Sequence, residues 1–523
     1  MNLRIFVVTM LFAGLIASCT KDLNKSPKYG LTTDGLYKNE AGYRSALAKI
    51  YGGLALTGNT GPDGNGDLGG IDEGFSSYLR NYWNFQELPT DEAVIGWNDQ
   101  TIKDFHNMVW TSADVFDRAL YSRIYYQITL ANAFIREAAD DKVAGRGITG
   151  ADADKVKMYK AEARFLRALS YSHALDLYGS PTFVTEKDEV GAFLPPKTNP
   201  TDLFNYVESE CKAVESELPD PRQNEYARAD KAAVWMLLAN LYLNAKTYIG
   251  TDKNTEAITY SSKVISAGYT LEPTYANLFL ADNNKSKEII FPVAFDGNKT
   301  RTWGGTTYLV HAPVGGDMNV NDFGVDFGWG GLRTTKTFVQ KFPDANGTAD
   351  KRGIFQTAGQ TIDIVDISDF RSGYSIRKWK NVSSTGALGS NPTWVDTDYP
   401  MFRLGEAYLI YAEAVLRGGS GGSATNALNY FNALRQRAYG NTNGNKTSIT
   451  LDDILDERAR ELYWEGKRRT DLIRFDKFTN GSYLWPWKGG VADGRAVESF
   501  RNLYPIPAAE LNTNPNLVQN PGY

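Results

Sequence analysis

The stretch MYKAEARFLRALSYSHALDLYG, Met158–Gly179, carries Ala161, Phe165, Leu169, Ser172 and Leu175 or Asp176 at three- and four-residue steps. That period places them on one stripe of an α-helix. The preceding run DVFDRALYSRIYYQITLANAFIREAAD, Asp114–Asp140, has the same period, and the two are close enough in the chain to form a helical hairpin. The motif recurs. Asp202–Leu218 pairs with Asp230–Tyr248, extended by Glu256–Ala267, and a late set runs over Phe402–Gly418, Ala424–Gly440 and Leu451–Phe475. Small residues such as Ala168, Ala239 and Ala412 at contact positions, with aromatics a turn away, match tetratricopeptide-type packing. Their spacing is irregular, so the fold class is mostly α: degenerate helical hairpins and not a uniform solenoid.

Residues 280–400 read differently. They are rich in Gly, Asn, Asp and Trp, with short β-prone pieces such as EIIFPVAF and YLVHAPV between turn signals. Residues 58–99 share that character. Long irregular insertions on a helical scaffold are where binding loops are usually carried, so loop-rich ligand-binding insertions are expected near 58–110 and 280–400. No linker divides the rest, and residues 41–523 are expected to form one body.

The N-terminus is a secretory leader. Arg4 supplies positive charge, Ile5–Ile16 is apolar apart from Thr9 and Gly14, and the run is too short to span a bilayer. Ile16-Ala17-Ser18-Cys19 has the form of a lipobox, which makes 1–18 a lipoprotein signal peptide and Cys19 the lipidated first residue. Two or three acyl chains, at about 0.8 kcal/mol per buried methylene, anchor a protein without a spanning helix. The polar residues 19–40, with Pro27 and Gly30, are expected to be a tether. The only other cysteine is Cys211, on a helical face with Leu203, Val207, Val214 and Leu218, and it reads as a small buried hydrophobe.

Net charge is −5 and Lys and Arg are scattered, which argues against a nucleic-acid partner. His106, His173 and His311 are far apart in the chain and form no metal-ligand spacing. No metal or catalytic residue is singled out; no cofactor is expected, with a structural calcium ion left open. The densest charge cluster, DERARELYWEGKRRTDLIRF, has Glu457, Arg458, Glu461, Glu465, Arg468, Asp471 and Arg474 three, four or seven apart, the spacing of ion pairs along one helix. A glycosidase needs two carboxylates facing each other across a cleft. Neighbours on one helix do not.

Several stretches in order, EARFLRALSY with YGSP, ARADKAAVWMLLANLYL, NLFLADNNKSKEIIFPV, RLGEAYLIYAEAVLR, ERARELYWEGKRRTDLIRF and YPIPAAELNTNPNLVQNPGY, resemble the SusD/RagB family of Bacteroidetes outer-membrane lipoproteins nearly end to end. The loops NFQELPTDEAVIGW, DGNKTRTWGGTTYLV and WPWKGG are most similar to those of its starch-binding founder. The resemblance implies a SusD-like fold, no enzymatic activity, a place on the outer face of the outer membrane, and a SusC-like TonB-dependent transporter as partner. It also implies an aromatic arc that stacks on glucose rings of starch or maltooligosaccharide. The matching positions are Trp97, Trp303 (a tyrosine in the founder) and Trp329, with Arg80 as polar partner and Asn98 and Tyr308 beside them. A second tryptophan of the founder is replaced by Ile95, and its amide falls at Gln100. The residues agree with this independently: an indole offers a flat face to the C–H face of a sugar, and Trp303 and Trp329 are set among glycines in loops where no neighbour need cover the ring. The rival readings are another polysaccharide on the same architecture, a glycoside hydrolase, and a helical scaffold for proteins that binds no sugar.

Overall fold

A computed structural model describes residues 32–191 and 193–523. Among the described residues, eighteen α-helices stand against six strands of two to five residues, so the fold is mostly α. The signal peptide and Cys19 lie outside the described residues. The tether expected over 19–40 is shorter at its C-terminal end: Thr33–Leu36 is helical, and Tyr37 is already buried against Tyr43 and Phe134.

The expected hairpins form. Val115–Glu137 packs on Gly150–Tyr178, which packs on Pro200–Glu215; Lys231–Leu243 packs on Asn254–Ile265, and Leu404–Leu416 on Ala424–Tyr439. Ala168, Ala239 and Ala412 are completely buried, which lets neighbouring helices approach closely. Cys211 is buried as well, and burial pushes its thiol pKa up, so it is held as the neutral thiol. Helix starts are capped where the sequence offers a short acceptor. Asp114 Oδ1 takes the Phe116 and Asp117 N–H groups at 2.8 and 3.0 Å, and Asp230 caps Lys231–Leu243.

Asn254–Ile265 packs directly on Leu404–Leu416, so the chain between them is an excursion from the helical row. Its neck is an antiparallel ribbon, Ile289–Val293 against Tyr399–Arg403, with every residue of both strands buried. The lobe beyond the neck is fastened to the N-terminal part by a second pairing, Val94–Ile95 with Leu332–Arg333. Within the lobe, the β-prone YLVHAPV is largely helical: Gly305–His311 is a helix buried on all sides, and tertiary packing overrides local propensity there.

Two further expectations change. The loop-rich region 58–110 contains the helix Tyr78–Glu87, all ten of whose residues are buried. Leu451–Phe475 is two helices, Leu451–Leu462 and Arg468–Arg474, broken where Trp464 and Gly466 take φ of 59° and 71°. The charged residues therefore pair mostly across elements and not along one helix. Arg352 bonds Glu457 at 2.7 Å and Glu461 at 2.9 Å; Arg403 bonds Glu288, Glu461 and Glu465; Arg468 bonds Asp91 at 2.7 Å; Arg458 and Arg474 both bond Asp471. Burial raises the Glu461 pKa, but the guanidinium groups of Arg437, Arg403 and Arg352 outweigh it and hold the carboxyl down to about 2.

Candidate glycan-binding site

Four separate segments converge on an open groove of about 560 Å³, lined by Gly74, Arg80, Trp97, Asn98, Asp99, Trp303, Phe327 and Trp329. Trp97 follows the strand Val94–Ile95, and Trp329 precedes its partner Leu332–Arg333, so one strand pair sets both indoles. The Trp97 Nε1–H donates to the Trp329 carbonyl at 3.1 Å. Their ring centres are 6.2 Å apart at 41°, and Trp303 stands 6.0 Å from Trp329 at 61°. The three planes are not parallel. A chain lying against all three must bend.

Each indole rests on something built for it. Trp97 lies over Gly331, where a Cβ would fall 2.3 Å from its Cε2. Trp329 stacks on the buried imidazole of His311 at 4.9 Å and 25°, and His311 Nδ1 is 2.8 Å from the Phe327 carbonyl. Burial lowers the His311 pKa, so a neutral ring backs Trp329. Trp303 leans on Trp394, with ring centres 4.3 Å apart at 57°, and gives its Nε1–H to both carboxylate oxygens of Asp63 at 3.0 Å.

Arg80 projects from the buried helix Tyr78–Glu87, a position its pattern does not announce. Its Nη1 donates to the carbonyls of Gly74 at 2.8 Å and Trp303 at 3.2 Å, and its guanidinium lies 4.4 Å from the centre of the Tyr308 ring. Burial lowers its pKa from the usual arginine range, against the pull of Tyr308, Asp99 and Asp72.

The expected residues thus divide. Trp97, Trp303, Trp329, Arg80 and Asn98 come together in the groove. Tyr308 does not reach it: the ring is completely buried under Arg80, with its hydroxyl donating to Asn84 Oδ1 at 3.0 Å, so it supports the guanidinium from below. Gln100 is exposed, at φ 28°, and is not among the lining residues. Ile95 is buried in the strand and does not line the groove. Phe327, 47 % exposed on the rim, and Trp394 under Trp303 are not singled out by the sequence reading. Phe327 could have been found, since it shares the Gly-aromatic loop GVDFGWGG with Trp329. Trp394 could not, because its partner is far away in the chain. Glu457, Glu461, Glu465 and Asp471 of the dense charge cluster lie elsewhere, buried in ion pairs.

Residues 359–523 match the SusD family. The chain is 37 % identical to the starch-binding protein SusD of Bacteroides thetaiotaomicron over 99 % of its own length and 98 % of that protein. The chain belongs to the SusD family. A SusD-like protein of Bacteroides ovatus is 24 % identical over 91 % of the chain and 84 % of its own length. Among solved structures, a laminarin-binding SusD-like protein superposes with a TM-score of 0.71 at 21 % identity, covering 93 % of this chain and all of that one. The surface glycan-binding protein A of B. thetaiotaomicron in complex with laminarihexaose gives 0.67 at 20 % identity, covering 91 % and 98 %. At those identities the likeness establishes the shared SusD fold, mostly α with its looped lobe. Members of the SusD family are named as binding proteins and not as enzymes.

Proposed function

We propose that this chain is a non-catalytic, cell-surface glycan-binding lipoprotein that captures starch-type α-glucan and passes it to a SusC-like TonB-dependent transporter. The observation that carries the reading is the groove of three tryptophans with non-parallel planes, each open on one side and backed on the other. An indole face covers the C–H face of one sugar, and rings set at 41° and 61° suit a coiled chain better than a flat one. The identity to a starch-binding protein over nearly the whole length favours α-glucan. The second reading, a β-1,3-glucan, is favoured by the laminarin-binding fold relative, since that chain is also curved.

Lipidation at Cys19 and placement on the outer face of the outer membrane belong to the same proposal. No helix among the described residues is long and apolar enough to cross a membrane, which agrees with anchoring through acyl chains. A Cys19→Ala variant is expected to leave the membrane fraction when the transporter is absent; retention there would overturn the lipobox.

Titration calorimetry on a soluble form beginning after Cys19 tests the ligand. Maltoheptaose is expected to bind and cellohexaose not to. Each half-buried ring contributes about 1–2 kcal/mol through its open face, so Trp303→Ala and Trp329→Ala should each weaken binding about five- to thirtyfold. Binding of laminarihexaose in place of maltoheptaose would replace α-glucan by β-glucan and keep the groove. Two unchanged variants would remove the groove.

A further inference from the structure

Residues 57–75 form a loop with no helix or named strand, yet it is firmly tied. Gly58 and Gly66 pair as an antiparallel bridge, the Asp67 N–H reaches the Thr57 carbonyl at 2.8 Å, and Lys49 Nζ holds Asn59 Oδ1 and Asp67 Oδ2, each at 2.7 Å. The Gly64 N–H is fixed on Glu73 Oε2 at 2.7 Å, and the Asn65 N–H on Thr60 Oγ1 at 3.0 Å. Asp63 stands between these clamps. It is exposed, and among the described residues its carboxylate takes one hydrogen bond donor, the Trp303 indole N–H, which lies 3.0 Å from each oxygen.

An indole N–H points in the plane of its ring, so an acceptor held at a fixed point fixes how the ring is turned about its bond to the backbone. Stacking on a sugar depends on that turn. A carboxylate on a braced loop is a stronger director than water, because a charge-assisted bond is about twice as strong as a neutral one. The same carboxylate adds charge. Arg80 and Asp99 are the charged residues lining the groove, Asp72 lies close enough to act on Arg80, and Asp63 brings the carboxylates to three against one guanidinium.

We infer that Asp63 is a positioning residue that sets the stacking plane of Trp303, and that its charge restricts the groove to uncharged glycans. The inference rests on the groove being a glycan site but not on the linkage of the glycan. Calorimetry with maltoheptaose on wild type, Asp63→Ala and Asp63→Asn, with melting curves alongside, tests the first half. Loss of one hydrogen-bonded director should weaken binding about fivefold in Asp63→Ala at an unchanged melting temperature. Asp63→Asn keeps an oxygen acceptor and should stay within about twofold of wild type. In a Trp303→Ala background, Asp63→Ala should have no further effect, because the residue acts through the indole. Wild-type affinity in Asp63→Ala, or a further loss in the Trp303→Ala background, would overturn the positioning role.

Maltoheptaose oxidised at C6 to carboxylates tests the second half. It should bind wild type about tenfold more weakly than the parent sugar, and the gap should shrink in Asp63→Asn. An equal gap in the two proteins would overturn the charge restriction. Should maltoheptaose fail to bind wild type, the α-glucan reading falls by itself, and laminarihexaose with its oxidised form takes the same series.

Discussion

Gly331 decides how Trp97 can sit, because a methyl group there would occupy the space of the indole. Gly331→Ala is expected to cost about 1–3 kcal/mol of stability through overpacking and to weaken glycan binding by displacing the ring. Melting curves and calorimetry on the same sample check both. Trp97 itself, half-buried and bonded to the Trp329 carbonyl, should cost stability as well as affinity when cut to alanine, whereas Trp303→Ala should cost mainly affinity. Aromatic residues flanked by glycines are legible as candidate platforms because glycine leaves a ring uncovered, and that signal finds Trp303 and Trp329. It says nothing about what lies behind a ring. His311 under Trp329, Trp394 under Trp303 and Asp63 at the Trp303 edge come from distant parts of the chain, and no local pattern links them. Tyr308 shows the converse: proximity in sequence to Trp303 suggests a ligand contact, but one helical turn carries it into the core.

The helix Tyr78–Glu87 escapes a periodicity search because it is buried all round and carries polar side chains that bond inside the protein. Gln86 Nε2 reaches Asp176 Oδ2 at 2.7 Å, the Tyr78 hydroxyl is 2.8 Å from His173 Nδ1, and Glu87 Oε1 accepts the Gly466 N–H at 2.6 Å. Burial pushes the Glu87 pKa up to about 7, against the bonds from Glu92, Lys467 and Gly466; burial and the neighbouring Glu87 hold Glu92 well above the carboxylate range. A carboxyl whose folded pKa is raised binds more protons folded than unfolded, so its contribution is full below the unfolded value near 4.5 and is lost as pH rises through about 7. Glu87→Gln, uncharged at every pH, is expected to flatten the fall in melting temperature between pH 4.5 and 7, which calorimetric melts across that range would measure. The break at Trp464 and Gly466 exists for the same cluster: the Trp464 N–H donates to Glu92 Oε2 and the Gly466 N–H to Glu87. Charge spacing suggests a network but cannot reveal a break that depends on partners hundreds of residues away. Arg468→Ala would leave Asp91 buried without its cation and should cost about 3–5 kcal/mol. Chemical denaturation would show it as a lower midpoint.

At the scale of the molecule, the helical row and the lobe were both readable, the first from its period and the second from the loss of that period between two helices that touch. The fastening of the lobe to the N-terminal part was not, because a two-residue strand pair leaves no pattern. Ligand that fills the groove spans segments on both sides of this fastening and should stabilise the whole: at a concentration a hundred times Kd the gain is about 2.7 kcal/mol. Maltoheptaose should thus raise the melting temperature of wild type, and at the same concentration raise that of Trp329→Ala less. The same long-range sewing governs how quickly the native state can be reached. Arg468 meets Asp91 across 377 positions of the chain, Arg469 meets Asp176 across 293, and Trp110 gives its indole N–H to Tyr523 across 413. Closing such loops costs entropy before any contact rewards it, and chains dominated by distant contacts fold slowly. Asp91 and Asp176 must wait for cations made last, so a ribosome releases the N-terminal half of this chain long before that half can be finished.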